Sequence, residues 1–340
     1  MQRELLTASY DFHLPKERIA AYPASPRESA KLLVYERATD RVTHAVFSEI
    51  ERFIPKNAAL VFNNTKVIKA RLFGKKSSGG KVELLLNRPL DAYRYSVYIK
   101  GRVKVGMRLH FDAMLEAEIR SLEEDGSRIV RFFQNAQPLR FETLLGILEK
   151  IGHIPLPPYI DRADEAIDER EYQSVFAKKE GAVAAPTASL HFSETLYKRI
   201  CRKHPCAEVT LHIGSGTFKP VESEIITEHP MHSEYYAVDT NTRALIESDT
   251  PIVAVGTTST RTIEYYIRTK EPHGEANLFL HPHNPPQRVN HLLTNFHLPR
   301  STLLMLVASF ISLDKTLALY KLAVEKKYRF FSYGDAMLIL

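Results

Sequence analysis

A short stretch of hydroxyl and guanidinium groups is the first candidate for binding chemistry. In "VAVGTTSTR" an apolar run at 252–255 is followed by the side-chain donors Thr257, Thr258, Ser259 and Arg261. We expect a strand that ends before these donors and a helix that begins near Ser259. The unpaired N–H groups of a helix N-terminus attract carboxylates and phosphates. The simpler alternative is that one hydroxyl caps the helix and the arginine is a solvated charge.

Other polar residues lie in apolar or aromatic surroundings. Asn295 and His297 fall within "LLTNFHLPRSTLL". Because a buried polar group must be hydrogen-bonded, these two either brace a loop or face a pocket. Glu234, in "MHSEYY", is our candidate general base, since its neighbours could tune a carboxylate. The alternative is an ordinary surface carboxylate.

Two segments of small residues could let a ligand approach the backbone closely. One is "EGAVAAPTASLHFSE" at 180–194, and the other is "TLHIGSGTFKPV" at 210–221, where a Gly-Ser-Gly turn follows a strand. Glycine permits the backbone conformations that such an approach often needs. A tight crossing between packed elements explains the first segment equally well. The second segment lacks the full spacing of a dinucleotide-binding fingerprint.

The sequence pattern also predicts the elements that position these residues. Residues 59–62, "ALVF", form a buried strand, and from 67 to about 133 short alternating runs are separated by glycines. This pattern predicts a small antiparallel β domain, either a sandwich or a barrel. A helix is expected at 140–152, and strands alternate with helices from there to the C-terminus.

Strand and helix alternation on both sides of a β-rich block indicates an insertion. We therefore predict a mixed α/β main domain, discontinuous in sequence, with an inserted small antiparallel β-barrel domain. The expected boundaries are 1–66 and 152–340 for the main domain and 67–151 for the barrel.

Composition limits the class of protein. The chain has 340 residues and a net charge of +6, which suits a polyanionic partner. The simpler interpretation of this charge is an ordinary basic protein. Cys201 and Cys206 are too few for a secreted disulfide scaffold, so we expect a reducing compartment. The longest apolar run, at 303–311, is too short to span a bilayer, so we expect a cytoplasmic protein without membrane attachment.

The histidines are candidates for a metal site, but their spacing does not support one. The pairs His229/His232 and His281/His283 do not fit a zinc-protease pattern. We therefore expect no metal.

Longer motifs are more specific than any single residue. In chain order they include "VFNNTKVIKARLFG", "IPLPPYIDR", "YQSVFAKKEGAVAAPTASLHF", "LHIGSGTFKPV", "MHSEYY", "VAVGTTSTR" and "LLTNFHLPRSTLLMLVASF". In order and spacing they resemble the S-adenosylmethionine:tRNA ribosyltransferase-isomerases of bacterial queuosine biosynthesis. The resemblance runs from "YDFHLP" at 10–15 to the C-terminus.

The resemblance implies an enzyme that uses S-adenosylmethionine as a ribosyl donor. The implied acceptor is 7-aminomethyl-7-deazaguanine at the wobble position of a tRNA anticodon stem-loop. The product is epoxyqueuosine, with adenine and methionine released. The implied chemistry begins with loss of a proton from the 5′ carbon of the donor and needs neither a metal nor a cofactor, since S-adenosylmethionine is consumed. The family fold is an α/β main domain with an inserted β-barrel, and we expect a monomer.

The resemblance also assigns donor-site and catalytic residues. Glu234 would be the base and His232 its partner. His297, the third expected catalytic residue, would contact the sugar or adenine together with Asn295. Arg261 and the preceding helix N-terminus would bind the methionine carboxylate. The donor-binding positions are Pro186, Thr187, His191, Gly214, Gly216, Thr217, Thr257, Thr258, Ser259, Arg261 and Asn295.

A third group of residues would contact the tRNA. Asn63, Asn64 and Thr65 would lie in the cleft between the domains. Cationic side chains would contact phosphates, which gives salt-dependent affinity. These are Lys66, Lys69, Arg71 and Lys81.

The chain departs from the family pattern at several positions. Lys69 stands where a proline is usual, and Ser189 and Ser215 stand in usually smaller positions. In the segment 281–290, "HPHNPPQRVN", histidine and asparagine replace a glycine and an aspartate. The altered segment 281–290 leaves open a divergent member that binds tRNA or S-adenosylmethionine without catalysis. The histidines leave open a second alternative, a metal-dependent hydrolase.

Overall fold

The computed structural model describes residues 2–214, 216 and 221–340. Thr217, one of the predicted donor-site residues, and Ser215 lie outside the described residues. The strands are β1 (Lys31–Glu36), β2 (Arg41–Val46), β3 (Ala59–Asn63), β4 (Thr65–Val67), β5 (Arg71–Lys76), β6 (Lys81–Pro89), β7 (Tyr95–Lys100), β8 (Arg108–His110), β9 (Leu115–Leu122), β10 (Arg128–Gln134), β11 (Gln137–Pro138), β12 (Lys179–Ala182), β13 (Cys206–Leu211), β14 (Glu234–Val238), β15 (Ile252–Val255), β16 (His273–Ala276), β17 (His291–Asn295) and β18 (Ala336–Ile339). The helices are α1 (Phe141–Ile151), α2 (Ala166–Glu171), α3 (Glu194–Lys203), α4 (Thr240–Glu247), α5 (Thr257–Thr269), α6 (Thr302–Ile311) and α7 (Leu313–Glu325).

A large mixed sheet forms the centre of the molecule. Its strand order is β16-β14-β13-β3-β15-β17-β18-β1-β2. The neighbours β13, β3, β15 and β17 run parallel, whereas β18 is antiparallel to β17. The carboxyl ends of the four parallel strands therefore meet at one edge of the sheet, together with the start of β18.

Helices cover both faces of this sheet, which explains why β3 is a continuous apolar run. Leu60 and Phe62 pack in one core cluster with Leu196 and Ile200 of α3. Val61, on the opposite face, belongs to a cluster that includes residues of α5. A strand buried on both faces needs no alternation of polar and apolar residues.

The second sheet closes into a barrel. Strands β10, β7, β6, β5, β8 and β9 follow one another, and the pairing of β9 with β10 completes the circle. Along β9, Leu115, Ala117 and Ile119 are fully buried while the residues between them are partly exposed. This period-2 pattern fills the interior of a small barrel with alternate side chains.

The barrel joins the main sheet where the chain leaves and returns. Strand β4 pairs in parallel with β12. The backbones of Arg71 and His153 exchange two hydrogen bonds of 2.9 and 3.2 Å. The observed architecture confirms the predicted fold class, a discontinuous α/β domain with an inserted antiparallel barrel.

Two observations bear on the compositional predictions. Cys201 and Cys206 form a disulfide that joins α3 to β13, a bond that their number and spacing did not indicate. In the described part of the chain, no single helix is long and apolar enough to cross a membrane. Helices α6 and α7, which are bent by 112° relative to each other, reach that length and composition only as a pair.

Candidate active site

A pocket lies at the edge where the parallel strands end, and we call it the strand-end pocket. Residues at or after the ends of β13, β15 and β17 line it, together with residues from three other segments. Its lining includes Tyr159, Pro186, Thr187, Ile213, Gly256, Thr257, Thr258, Thr294, Asn295, His297, Phe331 and Ser332. This is the usual position of a ligand site in an open α/β sheet. The predicted residues Pro186, Thr187, Thr257, Thr258, Asn295 and His297 are therefore brought together.

Asn295 presents an unpaired acceptor beside this pocket. Its Nδ2 donates to the carbonyl oxygen of Phe331 at 3.0 Å and to Nε2 of His191 at 3.3 Å. Burial lowers the pKa of His191 to about 3, helped by the nearby arginines, so its ring is neutral and Nε2 can accept. These two acceptors fix the amide orientation. Within the described part of the chain, the buried Oδ1 of Asn295 has no donor.

His297 is a buried, neutral imidazole. Its Nε2 lies 2.7 Å from Oγ1 of Thr294, and its backbone N–H donates to the hydroxyl of Tyr320 at 3.1 Å. Burial lowers the pKa of His297 to about 3. In this state the ring carries no charge and can exchange hydrogen bonds with a ligand.

A stacked aromatic pair lines the pocket next to Asn295. The rings of Tyr159 and Phe331 are 4.3 Å apart and inclined by 21°. The Tyr159 hydroxyl lies 2.5 Å from Oγ of Ser332. Aromatic rings beside polar groups suit a planar heterocycle such as a nucleobase.

Gly256 directly precedes the N-terminus of α5. The helix begins at Thr257, earlier than the predicted start near Ser259, and Gly256 precedes it with φ 93° and ψ 156°. This backbone region is essentially restricted to glycine. Oγ1 of Thr258 accepts a hydrogen bond from Asn63 at 3.2 Å. Ser259 does not face the pocket, because it is fully buried and its hydroxyl donates to the carbonyl of Val255.

Arg261 and Glu234 form a buried ion pair. The Nη1 of Arg261 lies 2.5 Å from Oε2 of Glu234, and both side chains are less than a tenth exposed. Oε1 of Glu234 also accepts from the backbone N–H of Gly214 at 3.0 Å. Both residues line a small cavity beside the strand-end pocket, and Leu303 borders both spaces. The predicted base and the predicted carboxylate-binding arginine are thus partners of each other.

A larger cleft, the barrel–sheet cleft, separates the barrel from the main sheet. Its volume is about 840 Å³. The barrel side includes Asn87 and Tyr98, and the sheet side includes Gly181, His212 and Tyr235. The predicted residues Gly214, Gly216, His232 and Glu234 also line it.

The cleft and the strand-end pocket share a wall. Ile213 lines the pocket, whereas its neighbours His212 and Gly214 line the cleft. A single stretch of backbone after β13 therefore separates the two spaces.

The predicted RNA-binding amides and hydroxyl lie inside the protein. Asn63 is fully buried, and its amide makes hydrogen bonds to Leu211, Thr65 and Thr258 that use both of its donors and its oxygen. Asn64 bonds to Glu208 and Thr210. These contacts hold β3 to β13.

The predicted cations differ in their availability. Lys69 lies between Glu149 and Glu169, at 3.4 and 3.0 Å, with its side chain only 14% exposed. Arg71 pairs with Glu83 at 3.4 Å, and Lys66 pairs with Glu180 at 2.8 Å while both side chains stay substantially exposed. Lys81 is exposed.

Residues 7–339 match the family described as queuosine biosynthesis protein. The chain belongs to this family. A family relative from Sulfurimonas denitrificans, named S-adenosylmethionine:tRNA ribosyltransferase-isomerase, is 64% identical over 338 residues, which cover 99% of each chain. A relative of the same name from Campylobacter jejuni is 54% identical over 343 residues and covers 100% of each chain.

A solved structure is similar to the chain as well. The crystal structure of the S-adenosylmethionine tRNA ribosyltransferase from Thermotoga maritima is 35% identical in sequence, with a TM-score of 0.54. The match covers 98% of this chain and 100% of that one.

Sequence reasoning missed two of the residues that line the barrel–sheet cleft, His212 and Tyr235. His212 falls inside the quoted motif "LHIGSGTFKPV", where only the glycines and threonine were singled out. Tyr235 follows Glu234 directly and is 42% exposed, which is unusual for a large aromatic side chain. An aromatic residue next to a predicted catalytic carboxylate was the available signal.

Proposed function

We propose that the protein transfers and isomerises the ribosyl group of S-adenosylmethionine onto 7-aminomethyl-7-deazaguanine at the wobble position of a tRNA. The product is epoxyqueuosine, and adenine and methionine leave. Family membership and relatives of the same name across the whole chain support this activity. The structural observation that carries it is the unpaired Oδ1 of Asn295 beside a pocket that shares a wall with a second, larger cleft.

The donor nucleoside occupies the strand-end pocket in this proposal. The adenine ring lies against Tyr159 and Phe331, and its exocyclic amino group donates to Oδ1 of Asn295. A buried acceptor without a donor costs about 1–3 kcal/mol, so a ligand that supplies the donor recovers this cost. Thr257 and the first N–H groups of α5 lie beside the ribose or the methionine carboxylate.

The Arg261–Glu234 ion pair connects the two predicted roles, carboxylate binding by Arg261 and proton abstraction by Glu234. The carboxylate of S-adenosylmethionine is its only anionic group, and it can replace Glu234 as the partner of Arg261. Glu234 is then released to take the proton from the 5′ carbon, which the adjacent sulfonium acidifies. His232 lines the same cavity and stays the proposed partner of the base.

The acceptor enters through the barrel–sheet cleft, and the anticodon stem-loop lies across its mouth. We leave Asn63 out of the RNA surface because all its polar atoms are used inside the protein. Of the four predicted cations, Lys81 and Lys66 have substantially exposed side chains and are the proposed phosphate contacts. We also propose that the enzyme is a cytoplasmic monomer and uses no metal or other cofactor. The domain boundaries proposed for it are 1–66 with 152–340, and 67–151.

A single-turnover assay tests the function. Enzyme is mixed with S-adenosylmethionine and an anticodon stem-loop that carries 7-aminomethyl-7-deazaguanine, and the digested nucleosides are weighed by mass spectrometry. The same stem-loop with guanine at the wobble position is the control. We expect epoxyqueuosine and free adenine only with the aminomethylated RNA. Bound RNA without any mass change would instead support the non-catalytic alternative.

A further inference from the structure

Tyr235 and His212 form a stacked pair inside the barrel–sheet cleft. Their ring centroids are 5.6 Å apart and the planes are inclined by 22°. Tyr235 is 42% exposed, and both residues line the cleft. An aromatic face that is open to a concave space, rather than packed in a core, is available to a planar ligand.

The pair is held in place from several directions. The backbone N–H of His212 donates to the carbonyl of Tyr235 at 2.9 Å. The Nδ1 of His212 lies 2.8 Å from Oγ1 of Thr65. A side chain at Gly181 would come within 2.8 Å of Nε2 of His212, so only glycine fits beside the ring. Burial lowers the pKa of His212 to about 4, so the ring is uncharged at neutral pH.

We propose that this pair is the platform on which the ring of the acceptor nucleobase stacks. The proposal rests on the proposed function and names the residues that hold its second substrate. Base–aromatic stacking contributes substantially to binding of unpaired nucleotides and requires only an exposed π-face. Ile213, the residue after His212, lines the proposed donor pocket, so the platform adjoins that pocket along the backbone.

The charges around the platform favour a base over the RNA backbone. The cleft is lined by Glu180 and Glu234, which pair with Lys66 and Arg261, by Glu275, and by the acidic hairpin 123–125. Arg88, on the barrel side, is paired with Glu275 at 3.2 Å. The acidic hairpin repels phosphates, so we expect the nucleobase rather than its backbone to reach the platform. The aminomethyl group of the acceptor is a cation at neutral pH and suits this acidic lining.

A binding comparison tests the platform without requiring turnover. Two stem-loops are used, one with 7-aminomethyl-7-deazaguanine at the wobble position and one with an abasic site there. Their affinities for the wild-type protein, Tyr235→Ala and Tyr235→Phe are measured by fluorescence anisotropy at one salt concentration. Phe73→Ala is the matched control, because Phe73 is a 52% exposed aromatic residue on the barrel, outside the cleft.

We expect Tyr235→Ala to weaken binding of the base-bearing stem-loop at least tenfold and to leave the abasic stem-loop unchanged. Tyr235→Phe and Phe73→Ala should bind both RNAs as the wild-type protein does. An equal loss for both RNAs would assign the platform to a neighbouring base and overturn the proposal, as would no loss for either. Failure of the function itself is seen separately, as absence of turnover by the wild-type protein.

Discussion

At the residue scale, the proposed donor pocket depends on the fixed amide of Asn295. Both hydrogens of its Nδ2 point to acceptors inside the protein, so Oδ1 is left for a ligand donor. We expect Asn295→Ala to raise KM for S-adenosylmethionine at least tenfold, because the hydrogen bond to the adenine amino group is lost. RNA affinity should not change. Asn241→Ala, an exposed asparagine in α4, is the control, and equal KM values for the two variants would contradict the assignment.

The buried ion pair gives a second prediction at this scale. Glu234→Gln should lower kcat at saturating substrates at least a hundredfold, because a general base is removed. It should also lower the free energy of unfolding by about 3 kcal/mol, because the Arg261 guanidinium loses its buried partner.

In Glu234→Gln/Arg261→Gln the stability should partly recover while kcat stays low. Glu247→Gln, from an exposed pair with Lys270, should change stability by less than about 1 kcal/mol. Unchanged kcat in Glu234→Gln would exclude Glu234 as the base.

The buried histidines predict how stability depends on pH. Burial lowers the pKa of His297 to about 3, below its ordinary value of 6.5, so the unfolded chain binds a proton that the folded protein does not. Stability is therefore full above pH 6.5 and falls as pH drops from there toward 3. At pH 5 the loss is about 2 kcal/mol for this residue.

Urea unfolding at pH 7 and pH 5 measures this contribution. His297→Gln should lose about 2 kcal/mol less than the wild-type protein between the two pH values, because it lacks the titrating group. His13→Gln, at an exposed histidine, should lose as much as the wild-type protein. The same loss in all three proteins would show that His297 is not held neutral by burial.

At the element scale, the turn from β15 to α5 sets the position of the helix N-terminus. Gly256 has φ 93° and ψ 156°, and there is space for a methyl group, since the nearest atom would be 3.6 Å away. The cost of Gly256→Ala is therefore one of backbone conformation, about 1–3 kcal/mol. KM for S-adenosylmethionine should rise with it, because Thr257 shifts.

Gly146 offers a matched comparison within a helix. It lies exposed inside α1 with space around its Cα. Gly146→Ala should raise the free energy of unfolding by about 0.5–1 kcal/mol, because alanine favours the helix. Thermal or urea unfolding of both variants checks the pair of predictions. Equal effects of the two substitutions would contradict the conformational role of Gly256.

Several elements could be predicted from the sequence because local pattern decides them. The apolar run 59–62 of β3 follows from burial on two faces, and the amphipathic pattern of α1 follows from burial on one face. The start of α5 was placed too late, because the conformation of Gly256 lets the helix begin directly after it. The disulfide between Cys201 and Cys206 depends on how α3 meets β13, which spacing alone does not reveal.

At the scale of the whole molecule, RNA affinity depends on which cations are free of internal partners. We expect Lys81→Ala to weaken stem-loop binding and to reduce the slope of log affinity against log salt by about 0.7, the value for one phosphate contact on a single strand. Lys69→Ala should leave the slope unchanged, because Glu149 and Glu169 already bind that ammonium group. A salt titration of both variants decides this. A reduced slope for Lys69→Ala but not for Lys81→Ala would contradict the choice of Lys81 rather than Lys69 as a phosphate contact.

For the site, the sequence motifs predicted the segments but not the hydrogen-bond and ion-pair partners. The motifs identified segments that meet at one edge of the sheet, and Pro186, Thr187 and Asn295 do line one pocket. The pairing of Arg261 with Glu234 could not be foreseen, because it depends on β14 lying against α5. The internal bonds of Asn63 depend in the same way on the register of β3 with β13. Sequence motifs give the residues of a site, while the packing of elements gives their partners.

We propose that the ribosyl group of S-adenosylmethionine, held at the strand ends, passes to a base held in the neighbouring cleft. The most direct test uses S-adenosylmethionine in which every ribose carbon is carbon-13, with an unlabelled stem-loop bearing 7-aminomethyl-7-deazaguanine. We predict that the wobble nucleoside gains the labelled ribosyl carbons while adenine and methionine are released without label. A wobble nucleoside that gains an unlabelled methyl group, or no mass at all, would contradict this account.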